Sequence, residues 1–223
     1  MKILKCLIQS FLGKNLNAEG KFSLSFSLRG AVFADSARFD RCAQLWLHAL
    51  RLRQATNLPV TKDLLRFAQV FSQMIKVGLE VDVMNVKEVL NSTVIEIERN
   101  QEKIANPGVK DDPEALQEEM ENNCLTSLYL IMILTKVSKK EEKVEFAAMK
   151  EIYRLVQLNP LTSTGSSLLH LTVNQQTPVD DFHTNEVCKF PCSSTTKLLL
   201  QAGADPQVGN ICHGILPGYW ELF

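Results

Sequence analysis

The chain has 223 residues, 45% hydrophobic and 22% charged, enough to bury an ordinary core as one large domain or two small ones. Its formal net charge is -1, so no basic excess selects nucleic acid or an anionic membrane surface, and neither partner is expected. The six Cys (Cys6, Cys42, Cys124, Cys188, Cys192 and Cys212) are scattered; no disulfide framework is suggested, and a cytoplasmic and nuclear location is the expectation.

Residues 1–28 form an uneven, unmatched N-terminal segment. The start, Met1 to Ile8, has some signal-peptide character, but Lys5 and Gln9 interrupt the apolar run and no small-x-small cleavage site follows. The stretch Ser23 to Leu28 alternates with period two and reads as a possible strand, although no strand partner is evident.

A helical array is expected over 29–160. Gly30, Phe33, Phe39, Cys42, Trp46 and Ala49 fall where a tetratricopeptide-type helix pair places its small and aromatic packing residues. Gly30 would let the neighbouring helix approach closely, and Trp46 would act as a packing wedge. Thr61 is placed to cap the next helix, whose apolar face is Leu64, Ala68, Phe71 and Ile75. Val86, Leu90, Val94 and Ile97 mark another helix, ending near the Asn106-Pro107-Gly108 breaker. Asp112-Pro113-Glu114 supplies a cap, a first-turn Pro and an acid at the positive dipole end. That helix turns apolar through Leu128, Ile131 and Met132; its run from Leu125 to Leu134 is about half of the roughly 20 residues a membrane span needs.

Ser138 and Glu141 have capping-box spacing. The helix they open carries Val144, Ala148, Ile152 and Leu155 and stops at Asn159-Pro160. The charge runs Glu118-Glu119 and Lys139 to Lys143 read as solvated faces. Roughly six or seven helices are predicted between Arg29 and Asn159, an all-α layout.

After Pro160 the pattern changes. Gly165 to Val173 approximates the opening of an ankyrin repeat, and Thr195 to Asp205 matches its second helix and Gly-Ala-Asp exit. Ser167 can cap the first helix, His170 can bond around the turn, and Gly203 can adopt the left-handed conformation that ends the second. Leu168 stands where the repeat usually has Pro. The predicted unit is an incomplete ankyrin repeat over 161–209, with an insert at 175–192 enlarging its loop and an unmatched tail at 210–223.

The insert holds the chemistry-bearing side chains. His183, Cys188 and Cys192 are spaced H-x4-C-x3-C, and Asp180 or Asp181 offers a fourth ligand, a set that zinc accepts. The spacing matches neither a C-x2-C pair nor an HExxH helix. Cys188 and His183 are also the parts of a nucleophile–base pair, but no orienting group or oxyanion element accompanies them. The structural reading is a loop pinned by Phe182, Val187 and Phe190, with Asp180 and Asp181 facing water or bonding backbone amides. No catalytic, cofactor-binding or metal residue is assigned, and the zinc loop stands as the alternative.

Four segments resemble the feminization-type (Fem) family: RGAVFADSARFDRCAQLWLHALRLRQ (29–54), KDLLRFAQVFSQMI (62–75), LLHLTVNQQTPVDDFHTNEVCKFP (168–191) and TKLLLQAGAD (196–205). The B-type homolog is the nearest match, on the insert TPVDDFHTNEVC. The resemblance covers about 29–209. It implies a substrate-recognition subunit of a cullin-2 RING ubiquitin ligase, a scaffold that binds degron-bearing proteins and docks elongin B and C, and not an enzyme. The degron-binding ankyrin block and the elongin box of that family are expected to be absent here, which makes the chain a middle-to-late fragment. Leu4-Lys5-Cys6-Leu7 echoes the core of the elongin box at the wrong end of the sequence. Self-association is a further expectation, because a lone ankyrin unit leaves an apolar face uncovered.

Overall fold

The computed structural model describes residues 18–56, 58, 60–109, 111–138, 143–180 and 184–207, without the side chains of 18, 19, 138 and 143–147. Among these residues the fold is all-α and contains no strand. The helices are α1 (Ala18–Asp35), α2 (Phe39–Ala55), α3 (Thr61–Lys76), α4 (Val83–Ala105), α5 (Pro113–Ser138), α6 (Lys143–Leu158), α7 (Leu168–Val173) and α8 (Ser193–Gln201). Six described helices precede Asn159, where six or seven are expected from Arg29 onward; α1 starts earlier, at Ala18. No described helix is long and apolar enough to cross a membrane.

The segment Ser23 to Leu28 is helical, not a strand, and α1 continues through position 28. Six residues of alternating small and large side chains suit either period. What decides is the longer pattern: Gly20, Ser23, Ser27, Gly30, Ala31 and Ala34 recur at helical spacing and form the buried stripe. Small side chains bring α1 close to α2. A Cβ on Gly30 would overlap Trp46 Cδ1 and Nε1, the close approach read from the sequence. Trp46 Nε1 donates to the Ser27 carbonyl at 3.0 Å, and its ring meets Phe67 of α3 edge-on at 6.1 Å. Trp46 therefore wedges three helices together.

Thr61 is not the cap of α3. Val60 holds that position without a side-chain bond, and the Thr61 hydroxyl instead lies 3.4 Å from Asn123 Nδ2 of α5. That amide also donates to Asn100 Oδ1 at 2.8 Å, giving a buried polar layer between α3, α4 and α5. Leu64, Ala68 and Phe71 are buried, as are Val86, Leu90, Val94 and Ile97; Ile75 packs half-buried at the edge. Asp82 caps α4 through Met84 N at 2.9 Å. Asp112 caps α5 through Glu114 N at 3.0 Å, as the Asp-Pro-Glu triplet predicts.

The helix α5 is central. From Leu128 to Leu134 every residue is buried, because α3, α4, α6, α7 and α8 all pack around it. A helix apolar on all sides needs cover on all sides. Ala148, Ile152 and Leu155 bury the inner face of α6, and Asn159 at φ +42° turns the chain out of it. Ser138 ends α5 instead of opening the next helix, and α6 starts at Lys143; Lys139 to Glu142 lie outside the described residues.

The short pair α7–α8 forms the ankyrin-type unit. Ser167 N donates to His170 Nδ1 at 3.3 Å, and Ser167 Oγ lies 2.8 Å from the same nitrogen. His170 is thus bound into the turn that starts α7. Gly203 takes φ +88°, so that its N–H reaches the Leu200 carbonyl at 2.9 Å and Ala204 N reaches Leu199 at 3.0 Å, closing α8.

Candidate functional site

The insert between α7 and α8 is the part of the molecule with the greatest density of functional groups, and it is bound down. Thr177 Oγ1 donates to the Leu171 carbonyl at 2.7 Å. Tyr129 OH, from α5, donates to the Pro178 carbonyl at 3.0 Å. Gln69 Nε2, from α3, donates to Asp180 Oδ2 at 2.6 Å. Lys76 at the end of α3 pairs with Glu186 at 2.5 Å. Cys192 N returns to the Thr172 carbonyl at 2.9 Å. The loop starts and ends on α7 and in between spans α3 and α5.

Its interior is a tight turn. Val187 N and Cys188 N both donate to the Thr184 carbonyl, at 2.9 and 2.7 Å, and Thr184 Oγ1 donates to the Asp180 carbonyl at 2.7 Å. Val187 and Cys188 are buried, and the Phe190 ring lies 6.3 Å from that of Tyr129. Val187 and Phe190 pin the loop as expected; Phe182 and Asp181 lie outside the described residues. Asp180 departs from the expectation: its carboxylate binds a side-chain amide of a distant helix, not only water or local backbone.

Cys188 points into the core, its thiol 3.8 Å from the Tyr129 carbonyl, and burial pushes its pKa up to about 12. Burial thus favours the neutral thiol over the thiolate, the nucleophilic form. Cys192 is half-exposed, with Sγ 3.3 Å from both the Ser194 and Thr195 hydroxyls. Cys188 faces the protein core and Cys192 the start of α8, near enough to each other to interact electrostatically. His183 lies outside the described residues, and among the described ones no three His, Cys, Asp or Glu are grouped to hold a metal ion.

A cleft of about 260 Å³ lies between the end of α6 and the ankyrin-type unit, floored by Val156, Leu168 and Leu169 and edged by Asn159, Ser167 and Asp205. It falls below the roughly 300–1,000 Å³ range of small-molecule sites.

The residues that sequence reasoning missed are Gln69, Lys76 and Tyr129. Each lies on a helix far from the insert in sequence and carries no local signal. An indirect sign existed for Tyr129, a polar tip inside the most apolar run of the chain, which requires a buried hydrogen-bond partner.

Paired helices, a closed ankyrin-type unit and a loop bound across both define a helical repeat scaffold. No family model matches the chain. Protein fem-1 homolog C of Mus musculus is 34% identical over 190 residues, covering 81% of this chain and 29% of that protein. Protein fem-1 homolog A-like of Mus musculus is 31% identical over 190 residues, 80% of this chain and 27% of the relative. Protein fem-1 homolog A of Danio rerio is 31% identical over 187 residues, 79% and 29% respectively. The matches support assignment of this stretch of sequence to the Fem family; the chain spans less than a third of the length of these relatives.

Proposed function

We propose that the chain supplies the middle scaffold of a substrate receptor for a cullin-2 RING ubiquitin ligase, in which it sets the orientation of a tetratricopeptide-like array relative to an ankyrin-type unit. The supporting observation is the bound loop 175–192: hydrogen bonds from Gln69 and Tyr129 and the Lys76–Glu186 pair tie the two parts into one body. A receptor must hold its substrate at a fixed distance from the ligase, and rigid joining of repeat types serves that end. The similarity to fem-1 proteins supplies the ligase context, with elongin B, elongin C, cullin-2 and degron-bearing proteins as the partners. The domain division at 29–160 and 161–209, the B-type affinity carried by the insert, and a cytoplasmic and nuclear location belong to the same reading.

Immunoprecipitation of the product of the native locus, probed for cullin-2 and elongins B and C, tests it. Recovery of all three is the expected result. A native product that recovers none of them while remaining folded contradicts the proposal. The 223-residue chain expressed alone is expected not to recruit elongins; if it does, a Leu4→Ala, Leu7→Ala variant decides whether the Leu4-to-Leu7 motif is an elongin box.

A further inference from the structure

The cleft beside the ankyrin-type unit has a wall made by the chain's own exit. Val156 of α6 and Leu168 and Leu169 of α7 form the floor, and Gly203, Ala204 and Asp205, which lead the chain out of α8, form one side. A Cβ on Gly203 would meet nothing within 4 Å, so this wall faces open space. An apolar cavity of about 150 Å³ holds one benzene-sized group, so a cleft of about 260 Å³ has room for one or two aliphatic side chains. Among its described lining residues Asp205 carries the one charge, at the rim.

The chain turns at that rim. Asp205 Oδ1 accepts from Gln207 N at 2.8 Å, an Asx turn. The residues that follow suit an apolar floor: 208–220 contain no Asp, Glu, Lys or Arg and include Val208, Ile211, Ile215 and Leu216. At up to about 3.6 Å per residue, Ile211 stays within about 22 Å of Asp205. A tether this short gives an effective concentration in the millimolar range, an advantage that a separate partner lacks. The end unit of a repeat array also needs a cover that its neighbours do not supply.

We infer that residues 208–216 fold back over this cleft and cap the ankyrin-type unit, with Ile211 seated on Val156, Leu168 and Leu169. The segment takes the place of a stacked neighbouring repeat and withdraws the apolar floor from self-association. The inference does not depend on the ligase reading.

The test is methyl NMR of the full chain labelled at Ile, Leu and Val. Nuclear Overhauser contacts between the Ile211 δ1 methyl and the Leu168 and Leu169 methyls are the expected result. Ala204→Trp fills the cleft from its wall and is expected to abolish them, with the thermal melt unchanged. Ile211→Asp alters no residue of the described core; it is expected to shift the Leu168 and Leu169 methyl resonances and to leave those of Leu128 and Leu130 in place. Absence of the contacts in the full chain, contacts that survive Ala204→Trp, or Leu168 and Leu169 resonances unmoved by Ile211→Asp overturn the inference. Contacts seen only between differently labelled copies overturn it in favour of a second copy.

Discussion

Gly30→Ala tests the packing of the first helix pair. Ala is the better helix former by about 1 kcal/mol, so propensity alone predicts a more stable protein. The structure predicts the opposite. The added methyl overlaps Trp46 Cδ1 and Nε1 and stands 3.3 Å from Cε2, and the indole is held by its bond to Ser27 and by Phe67. Overpacking of this kind costs about 1–3 kcal/mol, and loss of the indole hydrogen bond costs about 1 more. The net loss is about 1–3 kcal/mol, or a fall in Tm of about 2–12 °C for a chain of this length. Urea denaturation of the wild type, Gly30→Ala, Trp46→Leu and the double variant measures it. In the Trp46→Leu background the Gly30→Ala change is expected to be neutral or stabilising, because the obstacle is gone. A Gly30→Ala protein at least as stable as the wild type refutes the close-approach argument.

Tyr129→Phe removes the bond to the Pro178 carbonyl and is expected to cost about 1 kcal/mol in urea denaturation, with no effect on the helix content measured by circular dichroism. Cys192 is expected to react with iodoacetamide in the native protein, and Cys188 only after unfolding, as read by peptide mass spectrometry. Burial raises the thiol pKa of Cys42, Cys124 and Cys188. Unfolded thiols ionise near pH 8.5, so the unfolded state loses protons first and stability falls as pH rises from there toward the folded values. Each such thiol contributes up to about 1.4 kcal/mol per pH unit in that window, and Cys188→Ala is expected to reduce the slope. Elemental analysis of the purified protein is expected to find no stoichiometric zinc; zinc at one per chain that is lost in a Cys188→Ser, Cys192→Ser variant revives the metal reading.

The helices with a wide apolar face and a clear cap were legible in sequence. Asp112-Pro113-Glu114 fixed the start of α5, and Val86, Leu90, Val94 and Ile97 fixed the inner face of α4. The first helix was harder to read, because a stripe of Gly, Ser and Ala carries almost no hydrophobic signal even though it forms a packing surface. Thr61 suggested a cap by residue type, yet its hydroxyl is drawn into the polar layer around Asn123; a local preference lost to a tertiary contact. For the insert, sequence gave its place between the ankyrin helices. It did not give the bonds from Gln69 and Tyr129, which depend on how the chain brings α3 and α5 beneath it.

A scaffold of two joined repeat types requires the described part of loop 175–192 to act as a bound strut between them. Hydrogen exchange of the Val187, Cys188 and Cys192 amides measures this directly, since each donates to a backbone carbonyl within the loop or on α7. Protection comparable to that of Leu130 and Ile131 in α5 is the predicted result. Exchange at the rate of an unstructured peptide, with α5 still protected, would contradict it.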